Sequence, residues 1–295
     1  MAQTAGFPAP GSLILPQAAS DDHLLQLWLH NRRAETVRTY RADLLRFRTW
    51  AGKPFAQVTL GDLAAFWDSL GSLGPATRNR ILSSVRSLLA FAHRIGYLPF
   101  DVGRPFRLPA LPNQLAERIL SEADVQRMIH LEPKARNRTI LTLLYASGVR
   151  VRELCDLQWK DLQPQGDGEG QIAVFGKGGK TRFVQMPASV WTALMSLKGC
   201  KKTGPVFVSR RKKGREVAKL GPEQVWRVVR KAARRAGIEA NVSPHWMRHA
   251  HGSHALDRGA PIHLVQATLG HASVATTGKY LHARPKESSS RFLAI

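Results

Sequence analysis

Residues 171–186 read QIAVFGKGGKTRFVQM, and this stretch decides the fold class. It holds two runs, 171–175 and 181–186, that are rich in β-branched and aromatic residues, as strands are. The glycine-rich connection GKGGK between them is short enough for a hairpin. Because the patterns elsewhere are largely helical, we predict a mainly α protein with a small antiparallel β-sheet.

Upstream of this hairpin, residues 21–108 carry four stripes of apolar residues at helical spacing. One stripe follows Thr59 and another follows Thr36, and both threonines can cap the start of a helix. The stripe after Thr36 stops at Gly52, a residue suited to the end of a helix. Since such stripes bury one face in a shared core, we predict an N-terminal helical bundle.

Prolines mark the boundary between this bundle and the rest of the chain. The helical periodicity stops over residues 101–120, which contain Pro105, Pro109 and Pro112. The start of the chain is also rich in proline and lacks the basic segment of a signal peptide. We therefore predict four parts: a disordered tail 1–20, a helical domain 21–108, a linker 109–119 and a second domain 120–295.

The charge of the chain points to a polyanionic partner. There are 44 Lys and Arg residues against 21 Asp and Glu, a net charge of +23. Nucleic acid is the commonest polyanion that a protein of this kind meets. The two cysteines, Cys155 and Cys200, form no CxxC pair and favour a reducing cytoplasm. No stretch approaches the roughly 20 apolar residues that a membrane span requires, so we expect no membrane partner.

Four local patterns in the second domain contain residues that can perform chemistry. They are Arg150 after a helix-ending glycine, Lys177 on the hairpin turn, the pair His245 and Arg248 three residues apart, and Leu269-Gly-His271 followed by Tyr280. Each alone has an ordinary structural interpretation, such as a solvated lysine or a packed tyrosine. Their joint order along the chain is what favours a functional site.

That order, with these local sequences, resembles the tyrosine recombinase (phage integrase) family, including its Xer-type members, over residues 121–283. The helical first part is similar to the SAM-like core-binding domain of the family. The resemblance implies a second, mixed α/β catalytic domain of the DNA breaking-rejoining type. It also implies a site-specific recombinase that cleaves and religates DNA through a 3′-phosphotyrosine intermediate, in integration, excision or resolution.

The resemblance assigns a role to each of six residues, which are Arg150, Lys177, His245, Arg248, His271 and Tyr280. Tyr280 is the expected nucleophile, and the two arginines are expected to bind the phosphate, because guanidinium groups stay charged and donate paired hydrogen bonds. We expect His245 to act as general base, Lys177 as general acid and His271 as a hydrogen-bond donor to the phosphate. His249 and His254 are expected to pack or to support these groups.

Neither a metal nor another cofactor is expected, because the arginines supply the positive charge and the phosphotyrosine bond keeps the phosphodiester energy. Recombination cuts four strands and each chain has one such tyrosine. The resemblance therefore implies a homotetramer on two double-stranded DNA sites of specific sequence. We predict that the apolar end of the chain, residues 291–295, docks on a neighbouring protomer.

Other functions remain open at this point. A metal-dependent hydrolase is one, since His245 and His249 lie four apart as in HExxH sites, although Trp246 stands where that motif needs glutamate. A DNA-binding module without catalysis is the second, because a sequence does not show that its catalytic residues are assembled. A type IB topoisomerase shares the chemistry, but the short chain and its helical first part favour a recombinase.

Overall fold

The chain divides into two units, Met1–Pro112 and Asn113–Ile295, each with its own hydrophobic core. The computed structural model describes residues 17–112, 114–176, 179–199, 203–209 and 218–281. The predicted tail, apart from residues 17–20, and the apolar C-terminal end lie outside the described residues.

The first unit is helical. Its helices are α1 (Asp21–Leu29), α2 (Ala34–Ala51), α3 (Leu60–Ser69) and α4 (Pro75–Arg94). Thr59 caps α3 in a capping box with Asp62, as the sequence predicts. The predicted cap at Thr36 is wrong: α2 begins at Ala34, so that Glu35 lies in the first turn, near the positive end of the helix dipole.

The second unit combines eight helices with three strands among its described residues. The helices are α5 (Glu122–His130), α6 (Ala135–Ser147), α7 (Val151–Asp156), α8 (Ala188–Lys198), α9 (Pro222–Arg235), α10 (Pro244–Asp257), α11 (Ile262–Leu269) and α12 (Val274–Gly278). The strands are β1 (Leu162–Pro164), β2 (Gly170–Phe175) and β3 (Thr181–Met186). The prediction of a mainly α protein with a small antiparallel sheet is confirmed.

The three strands form one antiparallel sheet in the order β1-β2-β3. The hairpin of β2 and β3 is confirmed, with Val174 opposite Arg182 and Ile172 opposite Val184. Strand β1 escapes prediction because it has only three residues and ends in proline. One face of the hairpin is buried, and Arg182 occupies an inward position on that face together with Val184 and Met186.

Helices α6 and α10 pack against each other inside the second unit. Ile140 and Leu144 of α6 are fully buried in the same core as Met247 and Ala250 of α10. Helix α6 ends at Gly148, which has a left-handed φ of 58°. Glycine adopts this backbone conformation readily, whereas residues with a side chain are strained in it. The turn at Gly148 contacts α10, because the side chain of Arg248 donates to the Gly148 carbonyl group. In the described part of the chain, no helix has the length and apolarity needed to cross a membrane.

Candidate active site

Five of the six predicted site residues lie in the described part of the second unit. Arg150 is the N-cap of α7, His245 and Arg248 lie on α10, His271 follows α11, and Tyr280 follows α12. The sixth, Lys177, lies outside the described residues. Elements that are distant in sequence therefore supply the site.

Carbonyl groups at the C-terminal end of α11 bind the side chains of three arginines. Its last carbonyl groups have no partners within the helix and carry the negative end of the helix dipole. Arg182 Nε donates to the Thr268 carbonyl at 2.7 Å, Arg248 Nη2 donates to that of Leu269 at 2.6 Å, and Arg150 Nη2 donates to that of Gly270 at 3.3 Å. Three successive carbonyl oxygens thus hold three different guanidinium groups.

Arg248 is a buried cation, with 2% of its surface exposed. Its Nη1 donates to the Gly148 carbonyl, in addition to the bond from Nη2 to Leu269. Burial, followed by the positive charge of Arg150, lowers the pKa of Arg248 to about 10. The guanidinium remains protonated at neutral pH, and these two bonds engage only two of its five N–H groups.

Arg150, by contrast, has an exposed side chain that is anchored at its base. Its backbone N–H donates to Glu153 Oε2 at 2.8 Å, and its Nη1 donates to Glu153 Oε1 at 2.9 Å. Burial alone would raise the pKa of Glu153, but hydrogen bonds from Arg182 and Arg150 lower it overall. The carboxylate is therefore ionised at neutral pH and holds Arg150 electrostatically.

Tyr280 is buried, and its hydroxyl group lies 2.9 Å from His249 Nδ1. Burial raises the pKa of Tyr280, so its phenol is neutral and donates the hydrogen bond. Burial, together with the charges of His245 and Arg248, lowers the pKa of His249 to about 3, which leaves its ring neutral and able to accept. The structure therefore gives His249 a direct contact with the predicted nucleophile.

The two histidines predicted to act in catalysis flank this pair. The ring centroid of His245 lies 4.2 Å from that of His249, and the His271 ring is stacked on Tyr280 at 6.2 Å. Loss of hydration, followed by the charges of Arg248 and Arg150, lowers the pKa of both His245 and His271, the latter to about 4. Both rings are therefore neutral at neutral pH.

His271 is further oriented by Thr277, a fully buried residue whose Oγ1 lies 2.9 Å from His271 Nδ1. When the threonine hydroxyl donates this bond, Nδ1 is the acceptor and the ring proton must be on Nε2. That tautomer presents an N–H group to an anion, as the predicted role of His271 requires.

Sequence reasoning missed two residues of this cluster, Arg182 and Thr277, and it expected His249 to pack or to support the site without predicting its contact with Tyr280. Arg182 had a signal in the alternation of β3, since it shares its face with Val184 and Met186, where a charge is unusual. The contacts of Thr277 with His271 and of His249 with Tyr280 gave no comparable signal, because they depend on how α10, α11 and α12 fold together.

The histidine pair does not complete a metal site in the described residues. No group of three or more His, Cys, Asp and Glu side chains there has the geometry to hold a metal ion. His249 Nδ1 is also bonded to the hydroxyl group of Tyr280. The hydrolase alternative therefore lacks a third protein ligand in this part of the chain.

The lowered pKa values of the site histidines predict that the stability of the protein depends on pH. We expect the free energy of unfolding of the full chain to fall as the pH drops from 7 to 5. Between the ordinary histidine pKa near 6.5 and the folded values of about 3 for His249 and 4 for His271, the unfolded chain binds protons that the folded chain rejects. Each histidine contributes at most about 1.4 kcal/mol per pH unit, before solvent screening.

Urea unfolding at pH 5, 6 and 7 measures this slope. The His249→Gln variant, which keeps a hydrogen-bonding group beside Tyr280, should show a shallower pH dependence than the wild type. His263→Gln, a substitution of an exposed histidine on α11, is the control and should leave the slope unchanged. Equal slopes for the wild type and His249→Gln would contradict the assignment.

The chain matches two protein families. Residues 118–287 match the phage integrase family, and residues 21–96 match the phage integrase N-terminal SAM-like domain. Among curated proteins, tyrosine recombinase XerA of Pyrococcus furiosus is 34% identical, over 88% of this chain and 87% of the relative. Tyrosine recombinase XerD of Vibrio cholerae is 32% identical, over 90% of this chain and 92% of the relative.

Solved structures show the same fold. A lambda integrase (residues 75–356) dimer bound to a COC′ core site has a TM-score of 0.72 at 19% identity, over 91% of this chain and 95% of that one. The XerH site-specific recombinase bound to difH substrate has a TM-score of 0.68 at 22% identity, over 95% of this chain and 85% of that one.

The first family match spans more than half of the chain, and the curated relatives cover most of its length at 30% identity or more. The chain therefore belongs to the phage integrase family and is a site-specific DNA recombinase of the tyrosine, Xer-like type.

Proposed function

We propose that this recombinase cleaves DNA by in-line attack of the Tyr280 hydroxyl oxygen on a backbone phosphate that Arg150 and Arg248 bind. The observation that carries the proposal is the attachment of these two guanidinium groups to adjacent carbonyl oxygens, those of Gly270 and Leu269. This attachment concentrates fixed positive charge beside the phenol. Preorganised charge of this kind stabilises the negative charge that develops at phosphorus during phosphoryl transfer.

The bonds of this step balance without an external energy source. The tyrosine oxygen forms a bond to phosphorus while the bond from phosphorus to the 5′ oxygen breaks. The phenol loses its proton, and the departing 5′ oxygen gains one. The products are a 3′-phosphotyrosine and a free 5′-hydroxyl group, and attack by a 5′-hydroxyl group reverses the reaction. Neither ATP nor a metal ion has a step to perform in this scheme.

His245 is the proposed general base, and His249 holds the phenol in place before attack. A histidine with a pKa of about 3 accepts a hydrogen bond but does not retain a proton at neutral pH, so His249 is poorly suited to be the base. The ring of His245 lies directly against it. A bound phosphate adds negative charge and so raises the pKa of both histidines.

His271 and Lys177 complete the proposed proton and charge chemistry. The contact of His271 Nδ1 with Thr277 leaves Nε2 to donate a hydrogen bond to the phosphate. Lys177, which lies outside the described residues, is proposed to protonate the departing oxygen.

The proposed partners are double-stranded DNA with specific recombination sites and three further copies of this chain. Four strands are exchanged and each protomer supplies one Tyr280, so a closed ring of four protomers meets the requirement. Lambda integrase, which has the same fold, forms a tetramer bound to a Holliday junction. We place the reaction in the cytoplasm, where strand exchange integrates, excises or resolves DNA according to the arrangement of the two sites.

Covalent capture tests the proposal. The full chain is incubated with nicked DNA of random sequence, SDS-resistant adducts are isolated, and both the captured DNA and the linked peptide are identified. We expect a DNA 3′-phosphate attached to Tyr280. Tyr280→Phe should bind DNA without forming an adduct, whereas Tyr145→Phe, a change of a half-buried tyrosine on α6, should keep it.

Two outcomes would overturn the proposal. Binding without any adduct would indicate a DNA-binding module that lacks catalysis. An adduct through a 5′-phosphate, or through a residue other than Tyr280, would exclude the proposed chemistry.

A further inference from the structure

Arg182 is a largely buried cation outside the six predicted site residues. It lies on β3 opposite Val174, and 12% of its side chain is exposed. Charged groups are buried in this way only when they are paired, because removing them from water is costly. The partners of Arg182 therefore indicate its purpose.

Those partners belong to two different parts of the site. Arg182 Nη1 and Nη2 donate to the two carboxylate oxygens of Glu153 at 3.2 and 2.7 Å, an arrangement in which a planar guanidinium matches a carboxylate. Arg182 Nε donates to the Thr268 carbonyl at 2.7 Å. One side chain thus joins the start of α7 to the end of α11.

Each of these contacts leads to a group in the proposed reaction. Glu153 bonds the backbone N–H and Nη1 of Arg150. Thr268 is followed by Leu269 and Gly270, whose carbonyl groups hold Arg248 and Arg150, and then by His271. Arg182 is therefore connected to Arg150 through Glu153. It also bonds the residue before Leu269, which holds Arg248, in the turn that leads to His271.

The close approach of Arg182 to this turn depends on Gly270. This residue has a φ of +65°, and a Cβ atom on it would lie 3.2 Å from Arg182 Nη1 and 3.3 Å from Arg182 Cδ. A glycine allows both the left-handed conformation and the packing of the arginine against the turn.

We propose that Arg182 is a positioning residue that sets the guanidinium of Arg150 and the 268–271 turn for phosphate binding, without touching DNA itself. Glu153 carries one negative charge between two arginines. With Arg182 present, its guanidinium donates to both oxygens of Glu153, and Arg150 donates one side-chain hydrogen bond to the same carboxylate. Without Arg182, the carboxylate is free to bind Arg150 with both oxygens and to draw it away from the phosphate.

The proposal rests on the reaction proposed above, and its test separates the two. Single-turnover cleavage is measured with nicked DNA captured by the wild type, at protein concentrations that saturate the DNA, for Arg182→Met and Arg182→Lys. DNA affinity and urea unfolding are measured on the same full-length proteins. If the wild type forms no adduct, the proposed function itself fails, and the comparison of the variants does not arise.

Arg235→Met is the matched control, since Arg235 also pairs with a buried glutamate of this unit, Glu132, at 2.8 Å. We expect Arg182→Met to cleave about 100-fold more slowly than the wild type at saturation, with DNA affinity within about threefold. Arg182→Lys should lose about tenfold, because an ammonium group neutralises Glu153 but cannot bridge it to Thr268 as a planar fork does. Arg235→Met should cleave within about threefold of the wild type.

Two results would overturn the proposal: a cleavage rate for Arg182→Met within threefold of the wild type, or an equal loss of rate in Arg235→Met at matched stability. If Arg182→Met does not fold, the cleavage rate of Arg182→Lys tests the proposal instead. A tenfold loss of rate in the folded lysine variant supports the positioning role, and an unchanged rate refutes it.

Discussion

The Arg248→Lys variant is expected to cleave DNA about 10³-fold more slowly than the wild type, which corresponds to about 4 kcal/mol in the barrier. Lysine keeps one positive charge but loses the planar fork. In the wild type, this fork bonds the carbonyl groups of Gly148 and Leu269 and still has N–H groups for a phosphate. An ammonium group that satisfies both carbonyl oxygens has at most one donor left.

Single-turnover cleavage of captured nicked DNA measures the effect. Arg258→Lys is the control, because Arg258 caps the other end of the same helix, α10, where its exposed guanidinium pairs with Glu122. Surface pairs of this kind contribute little, so the control should cleave like the wild type. A cleavage rate for Arg248→Lys within tenfold of the wild type would show that Arg248 does not bind the reacting phosphate.

The second large effect concerns stability. We expect Gly148→Ala to lower the free energy of unfolding by about 2–5 kcal/mol. A side chain at a φ of +58° costs about 1–2 kcal/mol. The new Cβ atom would also lie 2.6 Å from Leu269 Cδ2 and 2.8 Å from His251 Cδ2, and overpacking of this kind typically costs about 1–3 kcal/mol.

Urea unfolding of the full chain checks this value. Gly237→Ala separates the two causes, because Gly237 has a φ of +73° and a Cβ atom there would meet no atom within 4 Å. We expect the free energy of unfolding of this control to fall only by the cost of the left-handed backbone conformation, about 1–2 kcal/mol. Equal losses at the two positions would mean that Leu269 and His251 move aside at little cost. Because the Gly148 carbonyl holds Arg248, the alanine variant should also cleave more slowly.

Much of the secondary structure could be predicted from sequence because its signals are local. Gly52 and Gly148 end helices in left-handed conformations, and Thr59 caps a helix start with its own side chain. The hairpin follows from two β-rich runs around a glycine-rich turn. The prediction at Thr36 failed because several polar residues lie near that helix start. A sequence pattern does not show which of these adjacent residues begins the helix.

The candidate site was predicted differently, through the order of a few residue types along the chain. Among the described residues, Arg150 lies at the start of α7, His245 and Arg248 lie near the start of α10, His271 follows α11 and Tyr280 follows α12. Sequence order did not predict that His249 contacts the hydroxyl group of Tyr280, or that Thr277 orients His271. These pairs depend on how the last helices pack, which no local pattern determines.

The sequence by itself therefore determined several helix ends, the hairpin, the basic character and the family of this protein, since each depends on neighbouring residues or on their order. Only the tertiary structure decided that three carbonyl groups at the end of α11 hold Arg182, Arg248 and Arg150. Arg182 and Thr268 are 86 positions apart, and Arg150 and Gly270 are 120 apart. Contacts over such separations form only when the chain has folded, because the packing of whole elements brings each guanidinium to its carbonyl oxygen.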